Sequence, residues 1–82
     1  MPTTDDFKNT LKEIIDIAKI LKLTGIIVRS GNLHRIVGGY PAKNHRMRMC
    51  CNAMRQLMET GDEIVTEPPC GDGANFEVLY RL

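Results

Sequence analysis

The sequence predicts a small α+β domain with three helices and a C-terminal β-hairpin, in the order α-β-α-α-β-β. Three observations predict this class. Apolar residues recur at spacings of three and four in three segments, the apolar period changes to two after Gly61, and glycine or proline separates most of the segments. The chain has 82 residues, so we expect one domain over residues 1–82. Its apolar runs are too short for a membrane helix, which needs about 20 residues.

The N-terminus and the cysteines favour a cytoplasmic protein. The first residues are acidic and polar, whereas a secretory signal begins with positive charge and continues with an apolar run. Cys50 and Cys51 are adjacent, and a disulfide between neighbouring residues is strained. Free thiols in a reducing compartment are therefore the simpler interpretation.

The first helix is predicted over residues 4–23. Thr4 or Asp5 can cap it, because a short side chain with an oxygen accepts a hydrogen bond from an amide of the first turn. The helix spacing places six apolar side chains on one buried face: Phe7, Leu11, Ile14, Ile15, Ala18 and Leu21. Ile17, Ile20 and Leu23 lie beside this face, so the helix has a wide apolar surface, part of which would suit the interface of a homodimer.

A short strand and a short helix follow. Residues 25–29 include three successive β-branched residues, which predicts a brief strand or an extended link. Ser30 can cap a helix of about two turns that ends at Gly38. The apolar face of this helix comprises Leu33, Ile36 and Val37. The segment 40–43 contains a proline and is predicted to be a turn.

The third helix is predicted over residues 45–60, with Asn44 as its cap and Gly61 at its end. Its apolar side chains fall within a stripe about 120° wide at 100° per residue, so we expect them in the core. They are Met47, Cys50, Cys51, Met54, Leu57 and Met58.

Two strands are predicted at the C-terminus, over residues 62–67 and 75–82, because apolar residues alternate there. The segment between them is rich in proline and glycine, so the strands should form a hairpin with a long loop. One face of the second strand comprises Phe76, Val78, Tyr80 and Leu82.

The order, lengths and turn positions of these elements resemble the winged helix-turn-helix family over nearly the whole chain. The resemblance implies that the second and third helices form a helix-turn-helix, that the third enters the major groove of double-stranded DNA, and that the hairpin loop is the wing. The Gly-Gly-Tyr-Pro and Cys-Cys runs are also similar to those of small phage or prophage proteins, which implies the cytoplasm of a host cell.

Charge is distributed unevenly along the chain. Between residues 23 and 58 there are six basic residues and no acid, whereas residues 59–82 carry six acids and one arginine. A run of one sign is a candidate surface for a polyanion. The alternative is that the basic and acidic parts of the chain pair with each other across the fold.

The polar face of the third helix is the candidate for DNA recognition. Arginine can donate two hydrogen bonds to guanine, and asparagine or glutamine can pair with adenine, in the major groove. The predicted base contacts are Arg48, Asn52, Arg55 and Gln56. The predicted phosphate contacts are Arg29, Arg35, Lys43, Asn44, His45 and Arg46. The hairpin loop carries Glu67 and Asp72, which would repel phosphate, so it departs from the pattern of a wing that contacts DNA and could instead attract a basic partner.

Other interpretations of the same residues are weaker. His45 and Cys50 lie about 140° apart on one helix and cannot share a metal ion, and the adjacent cysteines lie in the apolar stripe rather than in a reactive position. We therefore expect no metal, no cofactor and no enzymatic activity. The strongest rival is a winged-helix module or inhibitor that holds a protein partner and does not bind DNA.

Overall fold

The computed structural model describes residues 2–38 and 46–82, and in these ranges three helices pack against one three-stranded antiparallel sheet. The elements are α1 (Thr4–Ile20), β1 (Gly25–Arg29), α2 (Ser30–Val37), α3 (Met47–Gln56), β2 (Glu63–Thr66) and β3 (Glu77–Arg81). The predicted α+β class and the predicted order of elements are confirmed.

Helix α1 begins at the predicted residue, but it is capped one residue earlier and ends sooner than predicted. Thr3, rather than Thr4 or Asp5, is the cap: its hydroxyl accepts from the Asp6 amide at 3.3 Å, and its own amide donates to the Asp6 carboxylate at 2.8 Å. The helix ends at Ile20 because Lys22 has a φ of 61° and turns the chain towards β1.

Because α1 is shorter than predicted, one residue of its predicted buried face lies outside the helix. Phe7, Leu11 and Ala18 are buried as predicted, and Ile14 and Ile15 pack against the core. Leu21 was expected beside them, but it follows the last turn and is exposed.

The sheet has the strand order β1-β3-β2, so the predicted hairpin gains a third strand. Strand β1 is antiparallel to β3, with Val28 opposite Val78 and Ile26 opposite Tyr80. The predicted alternation of β3 is confirmed, since Phe76, Val78 and Tyr80 are buried on one face. The Tyr80 hydroxyl donates to the Met54 carbonyl at 2.8 Å, which joins the sheet to α3, and burial raises the pKa of Tyr80 above its ordinary value.

Helix α2 has the predicted two turns but not the predicted cap. Arg29 takes the cap position without a side-chain cap bond, and the Ser30 hydroxyl donates instead to the Gly73 carbonyl. The predicted apolar face was also only partly right. Leu33 is buried, whereas Ile36 is exposed because the helix turns Ser30, Leu33 and His34 inward.

Helix α3 is shorter than predicted at both ends. Arg46 occupies its cap position, and the predicted cap, Asn44, lies outside the described residues together with His45. The apolar stripe is confirmed: Met47, Cys50, Cys51 and Met54 are buried, and Leu57 and Met58 pack against the core.

A buried histidine joins α2 to the start of α3. The His34 ring is fully buried and lies edge-on to Phe7, with 4.8 Å between ring centroids. Its Nε2 accepts a hydrogen bond from the Arg46 amide at 2.9 Å. The amide before the first turn of α3 therefore has a partner from α2, which fixes how the two helices meet.

The buried position of Cys51 can be tested by substitution. We predict that Cys51→Asp lowers the free energy of unfolding by roughly 3–5 kcal/mol, because it leaves an unpaired charge in the interior. Urea unfolding followed by circular dichroism measures this. Cys70→Asp is the matched control, since Cys70 is exposed and the same substitution there should change stability little. Equal stability of the two variants would contradict the buried position of Cys51.

Candidate nucleic-acid interface

The outward face of α3 carries the polar residues that were predicted to meet DNA bases. The Arg48 side chain is 84% exposed, Gln56 is exposed and Asn52 is half-buried. Arg48 and Arg55 share this face, because both reach the same carboxylate, that of Asp72 in the loop before β3. The Nε of Arg48 lies 3.7 Å from Asp72, a loose ion pair at an exposed position.

Arg55 is held by contacts within the protein. Its Nη1 donates to Asp72 at 2.8 Å and to Asn52 at 3.2 Å, and its Nη2 donates to the Gly71 carbonyl. Its guanidinium also lies over the buried Phe76 ring, 4.6 Å from the centroid. The side chain is only 32% exposed, so Arg55, which is predicted as a base contact, does not project freely into solvent. Its contacts join α3 to the loop.

The loop itself is packed against the helices rather than projecting as a free wing. We define residues 71–76 as the docked loop. The Ser30 amide donates to the Phe76 carbonyl at 2.8 Å, and the Gly31 amide donates to the Ala74 carbonyl at 3.0 Å. A Cβ on Gly31 would lie 3.0 Å from that same carbonyl oxygen, which is tighter than most Cβ contacts, so the close approach favours glycine.

Helix α3 reaches the docked loop through a buried thiol. The Cys51 thiol donates to the Gly73 carbonyl at 3.5 Å, and the Ser30 hydroxyl donates to the same carbonyl. One backbone oxygen of the loop therefore bonds side chains from α2 and α3. Together with the Arg55 contacts, these bonds fix the loop to both helices of the predicted helix-turn-helix.

A second cluster of basic side chains lies beside the start of α2. Arg29 is exposed and donates to the Asn75 side chain at the end of the docked loop. A groove of about 150 Å³ lies next to this contact. It is lined by Arg29, Gly31, Asn32, Arg35, Ala74 and Asn75. Among the described residues the lining contains two arginines and no acid, so the groove is suited to an anion.

The structure describes only some of the other predicted phosphate contacts. Arg35 is exposed on α2 and lines the groove, and Arg46 is half-buried at the start of α3. Lys43, Asn44 and His45 lie outside the described residues.

Both interpretations of the uneven charge find support in these contacts. Asp72, from the acidic end of the chain, pairs with Arg55 and approaches Arg48, which is the predicted pairing across the fold. Of the lining residues that the structure describes in the groove between Arg29 and Arg35, none is an acid. The pairing with Asp72 partly neutralises the basic face of α3.

The buried thiols are not suited to nucleophilic chemistry. Burial, and then the neighbouring Cys51, raises the pKa of the Cys50 thiol to about 12. Burial also raises the pKa of Cys51. Cys70 is exposed, and its thiol donates to the Asp72 carbonyl at 2.9 Å. In residues 2–38 and 46–82 no three histidine, cysteine or acidic side chains come together in a way that could hold a metal ion.

Within the described residues, none of the helices combines the length and the apolar character that a membrane crossing requires.

No protein-family model matches this chain, and neither a curated protein nor a solved structure matches it. Any functional conclusion must therefore come from its own residues and their geometry.

Sequence reasoning missed the residues that hold the docked loop. The predicted pairing of acidic with basic parts of the chain did not single out Asp72, and no role was expected for Ser30 beyond capping or for Asn75. In the sequence Asp72 stands between two turn glycines, and a different, long segment of the chain has basic residues but no acids. That was a weak signal for an arginine partner, but it did not indicate which arginine.

Arg48 and Arg55 lie on one face of α3 but in different environments, so matched substitutions of the two can be compared. We predict that Arg55→Ala lowers the free energy of unfolding by about 1–3 kcal/mol, because it leaves the Asp72 carboxylate and the Gly71 carbonyl without their donor. Arg48→Ala, which removes the same charge from the same face, should leave stability nearly unchanged. Urea denaturation of both variants measures the difference. Equal effects would show that the loop does not depend on Arg55.

Proposed function

We propose that this chain is a winged-helix domain that binds double-stranded DNA and acts as a transcriptional regulator or another DNA-transaction factor. One observation carries the proposal. The exposed Arg48 of α3 reaches Asp72 in the docked loop. The same loop lines the groove of Arg29 and Arg35, whose described lining residues include no acid. This combines residues that can bond to base edges with residues that neutralise phosphate.

In this proposal the residues of α3 divide into two roles. Arg48 and Gln56 approach base edges in the major groove, since both are exposed. Asn52 contributes through its amide, which is oriented because its Oδ1 accepts from Arg55. Arg55 is a positioning residue rather than a base contact, because the docked loop already takes its donors.

The phosphate contacts come from the side of the domain next to α2. Arg29 and Arg35 reach the duplex backbone from the groove, and Arg46 approaches it from the start of α3. Lys43, Asn44 and His45, which precede α3 in the sequence, complete the set proposed from the charge pattern. The sum of these contacts gives sequence-independent affinity that falls with salt.

Asp72 restricts the way in which DNA can approach. Its carboxylate repels phosphate, so the backbone passes on the side of the groove rather than over the hairpin loop. The same carboxylate favours the rival function, a protein-binding module, because it already neutralises part of the arginine face.

The proposed compartment is the cytoplasm. Cys50, Cys51 and Cys70 are all free thiols, which is the usual state of cysteine in a reducing compartment.

Binding to a random duplex of about 20 base pairs at several salt concentrations tests the proposal. We predict affinity at about 50 mM salt that weakens steeply as salt rises, because bound counterions are released on binding. Arg35→Ala should lower the slope of log affinity against log salt by about one. Fluorescence anisotropy measures both quantities.

Arg81→Ala is the matched control, because it removes the same charge from an exposed arginine that pairs with Glu63 on the sheet. Equal loss in the two variants would mean that binding follows net charge rather than this surface. No binding at low salt would reject DNA and leave the protein-binding module.

A further inference from the structure

The carboxylate of Asp72 divides its two oxygens between two arginines of α3. Its Oδ1 accepts a hydrogen bond from Nη1 of Arg55 at 2.8 Å, and its Oδ2 lies 3.7 Å from Nε of Arg48. The side chain of Asp72 is mostly covered, whereas that of Arg48 is 84% exposed. One acid of the docked loop therefore stands beside the inner nitrogen of an arginine that projects into solvent.

Both the side chain and the backbone of Asp72 are held by neighbouring residues. Arg55, which bonds to its carboxylate, also donates to the Gly71 carbonyl and lies over the Phe76 ring. The Cys70 thiol donates to the Asp72 carbonyl at 2.9 Å. The carboxylate therefore presents its second oxygen to α3 from a defined position.

The approach through Nε determines which donors of Arg48 are left for a ligand. A guanidinium carries five N–H donors, one on Nε and two on each Nη. Asp72 meets the guanidinium of Arg48 at Nε, which leaves the two Nη groups for other acceptors. These two groups form the end of the fork, which can donate two parallel hydrogen bonds to one flat partner.

Guanine is the base whose major-groove edge fits two parallel donors. It presents O6 and N7, which are both acceptors, whereas adenine presents one acceptor and one donor. Thymine presents one acceptor beside a methyl group, and cytosine presents a donor. The uncharged edge of a base can lie near the Asp72 carboxylate, whereas a phosphate at the same place would be repelled. The acid therefore favours a base over the DNA backbone as the partner of Arg48.

We propose that Arg48 recognises a guanine in the major groove and that Asp72 is the positioning residue that orients Arg48 for this contact. Asp72 holds Nε, while the two Nη groups donate to O6 and N7 of the guanine. The attraction between Asp72 and Arg48 grows when DNA binds, because water leaves the interface and screens it less. The inference rests on the proposed DNA binding, and it adds the base that is recognised and the role of the acid in the loop.

Selection of bound sequences from a pool of random duplexes at low salt tests the contact with guanine. The wild-type chain should enrich a guanine at one position of the bound duplexes. Arg48→Lys keeps the charge but lacks the fork, so it should lose this enrichment and still bind DNA in a salt-dependent way. Replacing the enriched guanine by 7-deazaguanine, which lacks the N7 acceptor, should weaken wild-type binding by about fivefold or more and leave Arg48→Lys unaffected.

Asp72→Asn separates the positioning of Arg48 from simple repulsion of DNA. The asparagine Oδ1 can still accept from Arg55, but the charge beside Nε of Arg48 is removed. We expect duplex affinity to stay equal or rise, because an acid is lost, while the preference for guanine over 7-deazaguanine falls towards that of Arg48→Lys. Glu67→Gln is the matched control, since it removes an exposed acid before the docked loop and should keep the preference. Circular dichroism verifies that each variant is folded.

The failure of this inference can be distinguished from the failure of DNA binding. A chain that binds duplexes without enriching a guanine, or that enriches the same guanine with Arg48→Lys, would overturn the contact and leave DNA binding in place. A folded Asp72→Asn variant with unchanged preference for guanine would overturn the positioning role of Asp72. No binding to any duplex of the pool would reject DNA binding and this inference together.

Discussion

The arrangement of this domain depends on the attachment of one loop to two helices. Residues 71–76 accept hydrogen bonds from Arg55 and Cys51 on α3 and from Ser30 and Gly31 on α2. A hairpin loop rich in glycine would otherwise have many conformations available to it, and the entropy of fixing it must be offset by such bonds. Because both helices bond to the same short segment, their mutual orientation is fixed together with that of the sheet.

This attachment gives similar arginines different roles. Arg55 is committed to the loop, with its charge balanced by Asp72 and its plane over Phe76. Arg48 lies at the exposed edge of the same carboxylate and keeps most of its surface in water. Arg29 is oriented by Asn75 at the opposite end of the docked loop. The loop thereby contacts basic side chains from both α3 and β1, which is the basis of the DNA-binding proposal.

The sequence was sufficient to predict the fold class, the order of the elements and most of the core residues, because these follow from local periodicity. The inward stripe of Cys50, Cys51 and Met54 is an example. The sequence did not predict the loop partners of Arg55 and Ser30, since those contacts join residues 16 or more positions apart and no periodic pattern encodes them. The exposure of Leu21 was missed for a related reason: a left-handed Lys22 ends the helix where the apolar pattern continues.

The central claim is that one face of α3, with the groove beside α2, contacts duplex DNA. A titration of the ¹⁵N-labelled chain with a random duplex at low salt, followed by two-dimensional NMR, tests it most directly. The account predicts that the largest shift changes fall on Arg48, Asn52, Gln56 and the groove residues Arg29 and Asn32, with smaller changes on the sheet. Changes confined to α1 or β2, or no changes at saturating duplex, would contradict it.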